Sequence, residues 1–415
     1  MLITLYDSYN ILTKVYSKGA FLKQAVLETQ IEPLNRAKVT KICYGVLEKD
    51  VTLSYIITSL CEKQPKLSVR TLIKIALYMI IYMEKSPYAV TDNAVELLKK
   101  LGKGGMKGFL NGFLRNFIRN GYQMPKNQID YLSIKYSYPK FLVEILIKDY
   151  GIETAEKIME YDSVKTCVRF NDGVDGEEYL LKRDYQFEKT HFYNTFFVDN
   201  FKMEEGFYNG DYTFQSIGSV AICDCVEKGE NLLDVCSAPG GKTVNLSSKF
   251  SSVTACELHA HRVELLKSYC TRMKKENITF LQRDMKEFYK PFEDKFDAVL
   301  IDAPCSGFGV VKDNPDIFLN RKIDDLKSIV LEQSNLLEVA SKYVKIGGYL
   351  YYSTCSILKD ENVRQIAKFL AKFDNFIEEK TVSKLTGETQ EFGIQFLPYL
   401  SSGAGFYLVK LKRIK

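Results

Sequence analysis

The stretch Asp234-Val-Cys-Ser-Ala-Pro-Gly-Gly-Lys-Thr243 decides the fold of this chain. An apolar run, Asn231–Val235, leads into it, and a helical pattern opens after its glycines. Gly240 and Gly241 let backbone N–H groups come close to a ligand. The spacing is neither that of a dinucleotide fingerprint nor that of a Walker loop. Further strand-like runs follow at Ser252–Cys256, Thr279–Gln282, Ala298–Ile301, Tyr349–Tyr352 and Phe406–Leu411. Helical patterns fall between them, for example Ala260–Lys275 and Ile323–Val344. This alternation predicts an α/β domain over residues 215–415, a doubly wound, mostly parallel Rossmann-like sheet with its ligand at the switch-point crevice. The last run, after Gly403-Ala-Gly, predicts an added antiparallel strand.

Acids stand at the predicted strand ends: Asp234, Glu257, Asp284 and Asp302. A glycine-rich strand–loop–helix with an acid closing the next strand suits an adenosyl group. Glu257 can accept from both ribose hydroxyls, and Asp284 from the adenine amino group. Taken singly, either acid would serve equally well as a helix cap.

Two of the ten cysteines also sit beside strand ends: Cys305 in Ile301-Asp-Ala-Pro-Cys-Ser-Gly307 and Cys355 in Tyr351-Tyr-Ser-Thr-Cys-Ser356. No CxxC pair occurs and there are only three histidines, which argues against a metal site. A lone cysteine is more often a buried small hydrophobe than a nucleophile. Beside a cofactor loop, however, a thiol can attack an electrophilic ring carbon, as methylation at carbon 5 of a pyrimidine requires. An amino-group methylase would carry Asp-Pro-Pro-Tyr or Asp-Pro-Pro-Phe where this chain has Asp302-Ala-Pro-Cys305.

Residues 1–125 read as helices. Val39, Ile42, Cys43, Val46 and Leu47 recur at helical spacing, and Val69–Tyr82 is apolar nearly all round, as in a central bundle helix. After the break at Ser86-Pro-Tyr88, Thr91 or Asp92 is the expected cap of a helix through Leu101. The cluster Gly102-Lys-Gly-Gly-Met-Lys-Gly108 reads as a helix–helix turn, because no strand precedes it. Residues 126–165 read as a helical connector with a helix from Phe141 to Tyr150, and 166–214 as a small α+β module. Residues 1–125 hold 18 Lys/Arg against 9 Asp/Glu, while the chain as a whole carries a net charge of +5. On charge alone this fits a solvated lysine-rich face as well as an RNA-binding domain. No apolar run reaches the roughly 20 residues of a spanning helix, and the first residues lack the pattern of a signal peptide. A cytoplasmic protein, away from membranes, is expected.

The motifs at 234–243, 302–307 and 353–356 resemble those of RNA (cytosine-5) methyltransferases. Asn93-Ala-Val-Glu-Leu97 and Gly108-Phe-Leu-Asn-Gly-Phe-Leu-Arg115 resemble the all-helical NusB-type RNA-binding fold. The pairing is characteristic of RsmB-type 16S rRNA (cytosine-5) methyltransferases, which Tyr131-Leu-Ser-Ile-Lys-Tyr-Ser-Tyr-Pro139 and Gln215 also resemble. The resemblance implies S-adenosylmethionine as cofactor, held by Cys236, Ser237, Ala238, Pro239, Gly240, Gly241, Lys242, Glu257, Asp284 and Asp302. It implies Cys355 as the covalent nucleophile, Cys305 in product release as a base, and Asp302 at the cytosine edge. Glu257 stands where the family usually has aspartate, which still offers a carboxylate. The implied partner is 16S rRNA, free or partly assembled, met by a monomer that needs no metal. Other readings are the same chemistry on tRNA or other rRNA, and a non-catalytic RNA-binding ribosome-assembly factor, which would need neither thiol.

Overall fold

The computed structural model describes residues 1–162 and 165–415. Residues 163 and 164, which fall inside the expected connector, lie outside the described residues. The chain divides into two compact units. One comprises Met1–Glu160 with Val311–Lys322, the other Tyr161–Val310 with Ile323–Lys415.

The first unit is helical. Its central helix, Leu67–Ile81, buries every residue from Leu72 to Met79, as its all-round apolar pattern requires. Gly45 lets the helix Pro33–Glu48 approach it closely; a Cβ there would meet the Tyr78 ring at 2.0 Å. Lys74 is buried in the same helix, and its ammonium is satisfied by Asp50 at 2.6 Å and by the Tyr16 ring. The next helix starts at Pro87, with Ser86 at its N-cap, not at Thr91 or Asp92. Proline's fixed φ and missing N–H suit the first helical turn, so the Ser-Pro break is a helix start. The glycine cluster forms a short 3₁₀ turn, Gly104–Met106, leading into the helix Lys107–Asn120. Helices Gln128–Tyr136, Lys140–Tyr150 and Ile152–Glu160 complete the N-terminal part. Residues 311–322 also belong here. Lys312 pairs with Glu48 at 3.2 Å, Asp316 accepts from the Leu22 N–H, and Phe318 packs edge-on against Tyr138.

The second unit opens with a small antiparallel sheet of β1 (Cys167–Phe170), β2 (Phe187–Lys189), β3 (Thr195–Val198) and β4 (Tyr212–Phe214), in the order β2-β3-β1-β4. Phe170, Tyr179, Phe196 and Tyr212 pack beneath it. The large sheet contains β5 (Gly229–Asp234), β6 (Phe250–Glu257), β7 (Ile278–Gln282), β8 (Phe296–Asp302) and β9 (Val344–Thr354), all parallel. At the other edge lie β10 (Phe376–Glu378), β11 (Glu388–Thr389), β12 (Ile394–Phe396) and β13 (Phe406–Arg413). The order is β11-β12-β13-β9-β8-β5-β6-β7, with β10 also paired to β13. β13 runs antiparallel to β9, as expected from its sequence. The three short strands β10–β12 carry too few residues for a period-2 signal, and the sequence reading missed them. Apolar clusters cover both faces of the sheet, consistent with the near-continuous hydrophobic runs of its parallel strands.

Candidate active site

Parallel strands point their carboxyl ends to one edge of the sheet, so the residues just after β5, β6, β8 and β9 converge there. Asp234 ends β5 and is buried; its Oδ2 accepts from Thr243 Oγ1 at 2.7 Å, closing the glycine-rich loop on itself. Its Oδ1 has no hydrogen-bond partner. Burial, opposed by the Thr243 hydrogen bond and reinforced by Asp302, lifts its pKa to about 7. Ser237 anchors the loop to the neighbouring strand through its N–H and hydroxyl, both donated to the Cys256 carbonyl. Gly240 turns the chain at φ 112°, and a Cβ there would strike Leu266 Cδ1 at 2.7 Å. Cys236 is an unreactive thiol, because burial and the neighbouring Asp234 and Asp302 carboxylates push its pKa far up.

Glu257 ends β6 and is 4% exposed. Its carboxylate accepts from the His259 N–H at 3.1 Å and pairs with Arg262 at 3.2 Å. Arg262 also donates to the Ala238 carbonyl at 2.8 Å, which ties the acid to the loop. Gln215 fixes the loop from the other side: its amide donates to the Gly241 carbonyl at 3.1 Å, while its oxygen accepts from Arg169 at 2.8 Å. Asp284 accepts from the Lys286 N–H two residues on, which closes a local turn, and none of its hydrogen bonds reaches the loop.

Asp302 ends β8, and both its oxygens are engaged. Lys242 of the loop donates to Oδ2 at 2.7 Å, and Ser353 of β9 donates to Oδ1 at 2.9 Å. Burial works against the Lys242 ammonium, but Asp302 outweighs it and raises its pKa above the usual lysine value. Past the ends of β8 and β9, Cys305 and Cys355 bring their sulfurs to 3.0 Å. The hydrogen bond to Cys355, and then burial, push the Cys305 thiol well above its usual range. Gly309 and Gly405 close the site at the back. The Gly309 N–H donates to the Cys355 carbonyl, and a Cβ on Gly309 would meet the Gly405 carbonyl oxygen at 1.8 Å.

Of the residues singled out from sequence, Cys236–Lys242, Glu257, Asp302, Cys305 and Cys355 thus lie along one connected edge, with Asp284 beyond β7. Arg262 and Arg169 went unnoticed, because each acts through a hydrogen bond to a residue distant in sequence and no sequence signal marked it. Ser353 lies in the quoted 353–356 motif but was given no role of its own. Among the described residues, no group of three or more His, Cys, Asp or Glu side chains is placed to hold a metal ion. No helix among them is long and apolar enough to cross a membrane.

The parallel sheet with the order seen here, the glycine-rich loop after its first strand and the acid at the end of the next give the second unit the Rossmann-like fold of S-adenosylmethionine-dependent methyltransferases. Residues 222–412 match the family described as 16S rRNA methyltransferase RsmB/F, and residues 6–119 match the NusB family. The chain thus pairs a region similar to RsmB/F methyltransferases with an N-terminal region similar to the NusB family. It is 29% identical to the probable ribosomal RNA small subunit methyltransferase B of Bacillus subtilis, covering 94% of each chain. It is also 29% identical to ribosomal RNA small subunit methyltransferase B of Vibrio vulnificus, covering 97% of each. Among solved structures, PH0851 superposes with a TM-score of 0.83 at 22% identity over 99% of this chain and 98% of that one. NSun6 from Pyrococcus horikoshii, solved with SFG, superposes with a TM-score of 0.59 at 18% identity over 67% of this chain and 98% of that one.

Proposed function

We propose that this protein methylates carbon 5 of a cytidine in 16S rRNA, with Cys355 as covalent nucleophile. The observation that carries the reading is the pair of thiols 3.0 Å apart beside Asp302, which is itself bonded to Lys242 of the glycine-rich loop. The names of the relatives, ribosomal RNA small subunit methyltransferase B, support the substrate.

The loop suits S-adenosylmethionine. A Cβ on Gly241 would meet nothing nearer than Gln215 Nε2 at 3.8 Å, so there is open space beside it for a ligand. Residues 236–242 would hold the methionine moiety and Glu257 the ribose hydroxyls, with Arg262 keeping the carboxylate against the loop. Asp284 would meet the adenine. The cofactor supplies an electrophilic methyl group when bound.

Carbon 5 of cytosine is a poor nucleophile in an electron-poor ring. Attack of the Cys355 thiolate on carbon 6 makes carbon 5 enamine-like. Asp302 would contact the cytosine edge near ring nitrogen 3, where a proton shared through its carboxyl group or the Lys242 ammonium bonded to it would stabilise the negative charge that this displaces. After carbon 5 gains its methyl group, the Cys305 sulfur, as thiolate, would take the carbon-5 proton as base, and Cys355 leaves as thiolate.

The helical unit would grip the RNA backbone. Lys99, Lys107 and Arg115 line a groove of about 550 Å³ together with Asn111, Asp92 and the exposed Tyr88 ring. Cations there can neutralise phosphates, and an exposed ring can stack on a base. Nuclease digestion and mass analysis of small-subunit RNA, tRNA and other rRNA after incubation with labelled cofactor tests the whole reading. Label in 5-methylcytidine of 16S rRNA is expected. Label confined to tRNA moves the substrate, and no label in any RNA leaves a binding factor.

A further inference from the structure

Glu361 is fully buried and lies outside the machinery described so far. A buried carboxylate is costly unless donors surround it. This one accepts four hydrogen bonds: Ser306 N–H at 2.8 Å, Ser306 Oγ at 2.5 Å, Ser356 Oγ at 2.5 Å and Gln333 Nε2 at 3.0 Å. Ser306 follows Cys305, and Ser356 follows Cys355. Each serine oxygen in turn accepts a backbone N–H two residues on, from Phe308 and Leu358. Gln333 also donates to the Pro304 carbonyl at 2.9 Å, just before Cys305. Tyr352 of β9 donates to the Glu361 carbonyl at 2.8 Å. The neighbouring Asn362 accepts from Thr354 and donates to the Ser356 carbonyl.

The two cysteines therefore sit on loops from different strands that meet at one side chain. Both carboxylate oxygens are acceptors with no donor of their own, which lets one group take donors from both loops at once. A glutamine here would turn an amide N–H₂ toward groups that are themselves donors.

We propose that Glu361 is a positioning residue: its carboxylate ties Ser306 to Ser356 and so sets the spacing of the Cys305 and Cys355 sulfurs. The proposal rests on Cys355 being the nucleophile and Cys305 its partner. Glu361 acts on the reaction through those two thiols and touches neither RNA nor cofactor.

The test uses full-length Glu361→Gln and three readouts. S-adenosylmethionine affinity by calorimetry should stay within about threefold, since no Glu361 contact reaches the glycine-rich loop. The kcat at saturating RNA should fall on the order of a hundredfold, the penalty for misplacing a reacting group by about 1 Å, while the RNA KM stays within about threefold. The third readout is sulfur proximity itself. Diamide takes two hydrogens from a pair of close thiols and is reduced to the hydrazine, leaving a Cys305–Cys355 disulfide that non-reducing peptide mass analysis counts. Its rate of formation should drop about tenfold or more in the variant. Ser356→Ala, which removes one donor of four, keeps the test open if Glu361→Gln does not fold, and should give smaller losses of kcat and cross-linking rate. A cross-linking rate equal to wild type in a folded variant overturns the proposal, as does a parallel loss of cofactor affinity. Cross-linking does not depend on which sulfur attacks RNA. Full activity of Cys355→Ala would therefore overturn the nucleophile reading by a different signal.

Discussion

The sulfur atoms of Cys305 and Cys355 lie 3.0 Å apart although 50 residues separate them in sequence. Their hydrogen bond, with burial, pushes the Cys305 thiol well above its usual range and brings both sulfurs to one point. Replacing Cys355 by alanine should abolish methyl transfer and leave cofactor affinity unchanged. Full activity in this variant would sink the assignment.

Cys305→Ala should give the opposite phenotype. Attack and methylation still occur, but without Cys305 as base the carbon-5 proton stays and Cys355 is not eliminated. An RNA–protein adduct that survives denaturation is expected on a gel, and it should vanish when Cys355 is also replaced. Normal turnover without adduct would remove Cys305 from product release.

Glu257 is the acid on which nucleoside binding should depend. Loss of a hydrogen bond to a charged acceptor costs about 1.5–3 kcal/mol. Glu257→Ala should therefore weaken S-adenosylmethionine binding about ten- to a hundredfold. Arg262, paired with Glu257 at 3.2 Å, loses its partner in the same variant. Unchanged affinity in a titration would place the ribose elsewhere.

Asp234 gives the ligand-free protein a pH dependence of definite sign. Its pKa rises from 3.8 to about 7 on folding, chiefly through burial. The folded state binds the proton more tightly, so this contribution is fully present below about pH 3.8 and is lost as pH rises through about 7. Between pH 5 and 8 the loss is about 3 kcal/mol. Asp234→Asn keeps an acceptor for Thr243 and should flatten the fall in urea stability over that range. Parallel pH curves for the two proteins would mean that Asp234 is ionised in both states.

The basic cluster around the Gly102–Gly108 turn should act through counterion release. Neutralising Lys103, Lys107 and Arg115 together should raise the apparent RNA constant and flatten the dependence of affinity on salt, with cofactor binding unaltered. Binding measured across a salt series for both proteins decides it. Identical slopes would reduce the cluster to a solvated face and move the RNA grip elsewhere, to residues 166–212 first.

Local pattern was enough for the large sheet. The runs that became β5 to β9 and β13 are apolar, bounded by turns and spaced by helical segments, so their period shows in the sequence. The glycine-rich loop and the acids closing β5, β6 and β8 were legible for the same reason: each follows directly from its own strand. The helix at Pro87 and the short strands β10–β12 were misjudged or missed because their signals are brief or ambiguous. Only the tertiary structure decided which side chains meet. Parallel strands bring together chain segments 50 or 60 residues apart, as in the Cys305–Cys355 and Lys242–Asp302 pairs. The inclusion of residues 311–322 in the helical unit and the four donors on Glu361 have the same origin. Spacing along the chain encodes period and turn, whereas a hydrogen bond between distant loops depends on strand order and register, which no local stretch contains.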